Sequence, residues 1–93
     1  AFAPDQNFAD PDPAVRAHTV QHVADCVKAV AEAGGTALAG PTYTPLGFKP
    51  GRRTDDEWQR VIECLQKLGD VLAAHQVTLC VEPLNRFETH FLN

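Results

Sequence analysis

The sequence has little of three features that mark whole classes of protein: long apolar runs, clustered basic residues and paired cysteines. No run approaches the roughly 20 apolar residues that cross a bilayer, so we expect no membrane span. Lys and Arg number 8 against 12 Asp and Glu, which argues against nucleic acid as the main partner. The opening residues carry acids instead of a basic stretch followed by an apolar one, and so do not predict a secretory signal.

Cysteine usage points to a reducing compartment. Cys26, Cys64 and Cys80 form no CxxC pair, and an odd count cannot close a disulfide framework. All three lie in apolar runs, where a reduced thiol packs as a small hydrophobe. We therefore expect packing cysteines and a cytoplasmic location.

The remaining composition is that of one small globular domain. The chain has 93 residues, 44% of them hydrophobic, with a net charge of -4. It contains no Gly-rich phosphate loop, Ser-His-Asp arrangement or nucleotide fingerprint. A catalytic site in this chain would therefore be built from a different pattern of residues.

Two helices are predicted by their caps and by apolar spacings of three and four. Asp12 followed by Pro13 begins the first helix, which ends at Gly34. Thr54 and Glu57 form a capping box that begins the second, which runs as one helix to residues 75–76. Its apolar face is the clearest periodic signal in the chain: Trp58, Val61, Ile62, Leu65, Leu68 and Leu72.

Each predicted helix is followed by a short apolar segment, residues 36–39 and 77–81, that predicts a strand. Strands joined through a helix should be parallel, and the second should be buried on both faces. Two such strands leave edges and faces uncovered, so the chain looks cut at both ends. We predict an α/β fold, a partial (β/α)8 barrel of two to three βα units.

A group of polar residues follows the second strand, where parallel α/β folds place their working side chains. Glu82 comes directly after five apolar residues, and Asn85, Arg86 and Glu88 follow within six. A carboxylate at a strand end suits a hard divalent cation. On spacing alone, an ion pair between Glu82 and Arg86 that holds the loop is an equal alternative.

The segment from Glu82 to Glu88 resembles the E-x-x-N-R-F-E segment of ketose 3-epimerases, the D-tagatose and D-psicose 3-epimerases of the xylose-isomerase-like TIM-barrel superfamily. Weaker similarities occur in the same order upstream, at residues 10–16, 39–43 and 56–58. The resemblance implies that residues 1–93 are a fragment of a single barrel domain, from the exit of the third strand to the fifth strand.

The resemblance also implies roles for individual residues. Glu82 is expected to ligate a divalent metal, Mn²⁺ before Co²⁺ or Mg²⁺, and to exchange a proton with the sugar. Glu88 is expected to bind the ketose near its C1–C2 end. The other metal ligands and the opposing carboxylate would lie beyond Asn93, so the fragment alone should be inactive. The full-length protein is expected to be a homo-oligomer, a dimer or tetramer, acting on a small ketose.

Other residues near the strand ends carry two interpretations each. Tyr43 is expected to bind substrate as part of the wall of the sugar pocket, but it could equally pack against the barrel rim. Lys49, Arg52 and Arg53 could attract a sugar phosphate, although solvated loop residues are more common. His90 lies near the site, and a loop or packing role is favoured over metal ligation.

The alternative functions belong to two classes. Hydroxypyruvate isomerase, inosose dehydratase and endonuclease IV-like enzymes share the barrel fold and the metal-dependent chemistry of the superfamily. A non-catalytic βα fragment that assembles with copies of itself would explain the uncovered strand edges. The sequence does not fix which sugar is used.

Overall fold

The structure, a computed structural model, describes residues 2–48 and 50–93. Its elements follow the order α1 (Pro13–Glu32), β1 (Ala37–Gly40), α2 (Asp55–Lys67), α3 (Gly69–His75) and β2 (Thr78–Val81). No helix of this described part is long and apolar enough to cross a membrane.

Helix α1 begins and ends as predicted. The Asp12 side chain accepts a hydrogen bond from the Ala14 N–H, 2.9 Å away, and Pro13 occupies the first helical position. Gly34 has φ 83°, and the Gly35 N–H reaches back 2.8 Å to the Val30 carbonyl, which closes the last turn. Since only glycine takes this φ without strain, Gly34 fixes the end of α1.

The second helix begins at the predicted capping box, but it is two helices and not one. The Thr54 hydroxyl accepts from the Glu57 N–H at 3.1 Å, and the Glu57 carboxylate accepts from the Thr54 N–H at 2.9 Å. At Leu68 a tighter bond to the Leu65 carbonyl replaces the helical one. Gly69 follows, and its low helix propensity favours a break at this point. The single long helix predicted from the apolar face was therefore wrong.

The two strands form a parallel sheet in the register Ala37–Thr78 to Gly40–Val81, as predicted. The three helices contact one another, and α1 also contacts β1. The core lies between these helices and one face of the sheet, and includes Phe8, Val27 and Leu68.

The opposite face of the sheet is open in the described chain. Thr78 and Cys80 are exposed on β2, and Ala37 and Ala39 are exposed on β1. The prediction that β2 is buried on both faces was wrong, because the helices supply only one covering layer. For the same reason Cys80 is an exposed thiol, whereas Cys64 is buried as expected.

Candidate functional site

The candidate site lies where β1 and β2 end side by side. Parallel pairing brings Gly40 and Val81 to the same edge of the sheet, so loops 41–53 and 82–93 leave together. The Glu82 N–H donates to the Gly40 carbonyl at 2.9 Å, which extends the pairing by one residue. The backbone of Glu82 is thus fixed by the sheet.

The Glu82 side chain is exposed at this edge. Within residues 2–48 and 50–93 its carboxylate accepts no hydrogen bond and forms no ion pair. The alternative pairing with Arg86 is absent from this part of the chain, because the Arg86 guanidinium lies over the Phe87 ring, 5.0 Å from its centroid. Both oxygens of Glu82 are therefore available to a ligand.

The second carboxylate, Glu88, is half-buried in the same loop and is oriented by its neighbours. The Asn85 amide donates to the Glu88 carboxylate, and its own carbonyl accepts from the Phe87 N–H at 2.9 Å. The Glu88 backbone carbonyl accepts from the Gly47 N–H at 2.7 Å. These bonds join the loop after β2 to the loop after β1.

Tyr43 lies beneath the strand ends and is 1% exposed. Its hydroxyl donates to the backbone carbonyl of Glu82 at 2.8 Å, and lies 3.4 Å from that of Leu92. Burial raises the pKa of Tyr43, the negative charges of Glu82 and Glu88 raise it further, and a backbone hydrogen bond at Leu84 opposes them. In this chain the hydroxyl supports the backbone beneath Glu82, and a role for Tyr43 in substrate binding stays a prediction.

A buried, hydrogen-bonded pair of side chains, Glu57 and His90, lies beside these loops. His90 Nε2 is 2.8 Å from Glu57 Oε2, and the two side chains are 4% and 12% exposed. Burial raises the pKa of Glu57, but hydrogen bonds from His90 and Thr54 outweigh it, so the pKa lies below its ordinary 4.5. The sequence alone predicts only a capping-box role for Glu57. No local signal could have paired it with a histidine 33 positions away.

Two arginines of the predicted basic cluster, Arg52 and Arg53, lie in different surroundings. Arg53 Nη1 donates to the Phe91 carbonyl at 2.7 Å, and its guanidinium lies 4.4 Å from the Trp58 ring centroid. Arg52 is exposed, and Lys49 lies outside the described residues. Arg53 is thus already engaged in holding α2 to the loop after β2.

An open cavity of about 640 Å³ lies beside this loop and is lined by arginines and by residues 89–93. Arg52, Arg53, Arg86 and His90 contribute charged or polar groups to it. Glu82, Glu88 and Tyr43 do not line it. The three predicted site residues therefore share an edge of the sheet but do not enclose one pocket in this chain.

The described side chains supply only part of a metal-binding donor set. In the described part of the chain no three His, Cys, Asp or Glu side chains gather closely enough to hold an ion. Glu82 is a single hard oxygen donor at a strand end, which fits Mg²⁺ or Mn²⁺ as one ligand of a larger set.

Comparisons with known proteins show the family to which the chain belongs. Residues 1–93 match the family model described as xylose isomerase-like TIM barrel. The D-psicose 3-epimerase of Ruminiclostridium cellulolyticum is 28% identical over 91 residues, which cover 96% of this chain and 31% of that protein. The L-ribulose 3-epimerase of Mesorhizobium japonicum is 33% identical over 89 residues, covering 96% and 30%.

Solved structures give the same result. A structure of L-ribulose 3-epimerase superposes with a TM-score of 0.94 at 30% identity, covering 100% of this chain and 31% of that one. The D-psicose 3-epimerase of Clostridium cellulolyticum H10, solved with D-tagatose, gives 0.85 at 27%, covering 98% and 32%. The chain thus spans about a third of the length of these relatives. The predicted fold class, a piece of a TIM barrel with parallel strands, is confirmed.

Proposed function

The chain belongs to the xylose isomerase-like TIM barrel family, and from this membership we propose that a longer protein containing it is an isomerase that epimerises a free ketohexose at C3. The observation that carries the proposal is Glu82, an exposed carboxylate without a partner in the described residues, held at the end of β2 by the sheet. The relatives that support it are named for 3-epimerisation of psicose and ribulose.

In the proposed reaction Glu82 accepts the proton from C3 of the ketose. The electron pair left behind is delocalised towards the C2 carbonyl as an enediolate, and return of a proton to the opposite face inverts C3. A carboxylate suits this step because it can hold and release a proton at one position. The opposing proton donor would come from the part of the protein beyond Asn93.

A divalent ion, Mn²⁺ before Co²⁺ or Mg²⁺, would take Glu82 as one ligand and supply Lewis-acid polarisation of the ketose carbonyl. Glu82 fits this role because its oxygens are hard donors and are exposed. The remaining ligands would come from later strand ends, so we expect the 93-residue chain alone to be inactive.

Glu88 is proposed to bind the sugar at its C1–C2 end. Its carboxylate is oriented by the Asn85 amide and lies on the same loop as Glu82. A fixed carboxylate accepts hydrogen bonds from sugar hydroxyls without losing side-chain freedom when the sugar binds. Tyr43 is proposed to contribute to sugar binding at the same edge of the sheet, where its hydroxyl donates a hydrogen bond to the Glu82 backbone carbonyl.

The expected setting of the complete protein is a homo-oligomer, dimer or tetramer, in the cytoplasm. The three described cysteines are free, which fits a reducing compartment. The net charge of -4 argues against nucleic acid as the main partner.

The decisive experiment follows the ketose C3 proton by NMR in D2O, in the complete protein with added Mn²⁺. Glu82→Gln keeps the shape of the side chain but cannot accept a proton, so exchange should fall roughly 100-fold or more. Glu32→Gln, an exposed change at the end of α1, is the matched control and should exchange at the wild-type rate. Wild-type exchange in Glu82→Gln would refute the assignment.

A second candidate, self-assembly without catalysis, is favoured by the open face and edges of the β1–β2 sheet. It predicts oligomers of the 93-residue chain that form without metal, measured by light scattering. A folded monomer would count against it. The superfamily alternatives, such as hydroxypyruvate isomerase, are separated by offering the complete protein each substrate in turn.

A further inference from the structure

We propose that His90, hydrogen-bonded to both Glu57 and the Phe48 carbonyl, is a positioning residue that fixes the loop bearing Glu88. The bridge itself is argued from geometry alone. Its effect on sugar binding rests on the proposed function.

The hydrogen-bonding roles of the His90 ring follow from its two partners. Nδ1 lies 3.1 Å from the Phe48 carbonyl oxygen, which can only accept a hydrogen bond. Nε2 lies 2.8 Å from a Glu57 carboxylate oxygen, and an ionised carboxylate also only accepts. Satisfying both partners requires a proton on each ring nitrogen. In the proposed bridge the ring therefore donates from both nitrogens, to the Glu57 carboxylate and to the Phe48 carbonyl.

The charges around His90 leave Glu57 as its counter-ion. Arg52, Arg53 and Arg86 line the cavity that His90 also lines, and their charges oppose an imidazolium. Glu57 lies on α2 and contacts His90 through one carboxylate oxygen. The other oxygen accepts a hydrogen bond from the Thr54 N–H at 2.9 Å, which holds the side chain in place. Because both side chains are almost fully buried, water screens this pair little.

The bridge connects three segments at the point where Glu88 is held. His90 lies two residues after Glu88, its ring binds Glu57 at the start of α2, and its other nitrogen binds the loop after β1. The Gly47 N–H donates to the Glu88 carbonyl at 2.7 Å, one residue before Phe48. The two strand-end loops are thus joined at the Glu88 backbone and again two residues later at His90, which restricts the movement of the segment that bears the Glu88 carboxylate.

Two variants separate the bridge from simple packing. Glu57→Gln preserves the capping box, because glutamine also serves at that position. It removes the negative charge, so His90 should be left with a proton on Nδ1 only. His90→Phe retains an aromatic ring but removes both hydrogen bonds. Asp5→Asn is the matched control, since it acts on the exposed His18–Asp5 pair.

The bridge is tested in the complete protein by ¹⁵N NMR of the histidine rings and by amide hydrogen exchange. Because both partners accept, we expect both His90 nitrogens to carry a proton in the wild type and in Asp5→Asn, and one in Glu57→Gln. In His90→Phe the Gly47 and Glu88 amides should exchange about tenfold faster. The Glu82 amide, held by Gly40, should not change. A singly protonated wild-type ring, or loop amides within about twofold of wild type, would overturn the inference.

The kinetic arm tests the consequence for the sugar. His90→Phe should raise KM for the ketose about tenfold while kcat stays within about twofold, because the loop holds substrate without taking part in proton transfer. An unchanged KM with faster loop exchange would overturn the positioning role. A wild-type protein that does not exchange the C3 proton would refute the proposed function, and the NMR and amide results would still decide the bridge.

Discussion

The hydroxyl of Tyr43 offers a direct measure of what holds the strand-end carboxylate in place. Tyr43→Phe removes a hydrogen bond of 2.8 Å to the Glu82 carbonyl and a longer one of 3.4 Å to Leu92. The Leu92 carbonyl also accepts from the Leu84 N–H at 3.0 Å, so its loss is small. Because Tyr43 is 1% exposed, water does not replace the hydroxyl, and we expect a loss of about 1.5 kcal/mol.

The assay is urea unfolding of the complete protein. A loss of about 1.5 kcal/mol at a slope of about 3 kcal/mol/M lowers the midpoint by about 0.5 M, with the slope unchanged. Thr36→Val, which removes an exposed hydroxyl ahead of β1, is the control and should leave the midpoint in place. An unchanged midpoint in Tyr43→Phe would refute this reasoning, since the hydroxyl would then not stabilise the backbone at Glu82.

Two further predictions concern the start of α2. Thr54→Ala leaves the Glu57 N–H without its cap and should cost about 1 kcal/mol in urea unfolding, whereas Thr54→Ser should retain most of it; equal midpoints for the two would contradict the cap. The pKa of Glu57 is lowered in the folded protein. The ionised carboxylate therefore contributes to stability at pH values above the ordinary pKa of 4.5, and this contribution is lost as the pH falls through the lowered pKa of the folded state. Unfolding midpoints measured from about pH 7 to pH 3 should therefore decline less in Glu57→Gln than in the wild type, and parallel curves would contradict the assignment.

The features that the sequence predicted well are those set by neighbours in the chain. The Asp12 cap, the Gly34 end and the Thr54–Glu57 box each involve residues within a few positions. Parallel pairing of the strands followed from the helix between them, and the position of Glu82 followed from the end of an apolar run. Local chemistry was sufficient for each.

The features that it missed depend on contacts between distant parts of the chain. The hydroxyl of Tyr43 meets a carbonyl 39 residues away, and Glu57 meets a histidine 33 residues away. Periodicity in α2 and α3 continues through Leu68, so the apolar pattern does not reveal the break there. The exposure of Cys80 depends on what covers the sheet, which the composition of β2 does not specify.

Within the described residues β2 pairs on one side only, with β1, and its other edge has a consequence for the protein during its synthesis. Strands in this chain follow one another at a spacing of roughly 40 residues, which a ribosome translates in about 2 to 8 s. Throughout that interval a nascent chain presents the free amides and carbonyls of one finished strand to any extended segment nearby. Slower translation at this point would lengthen the exposure, and a chaperone that shields it would raise the yield of folded protein.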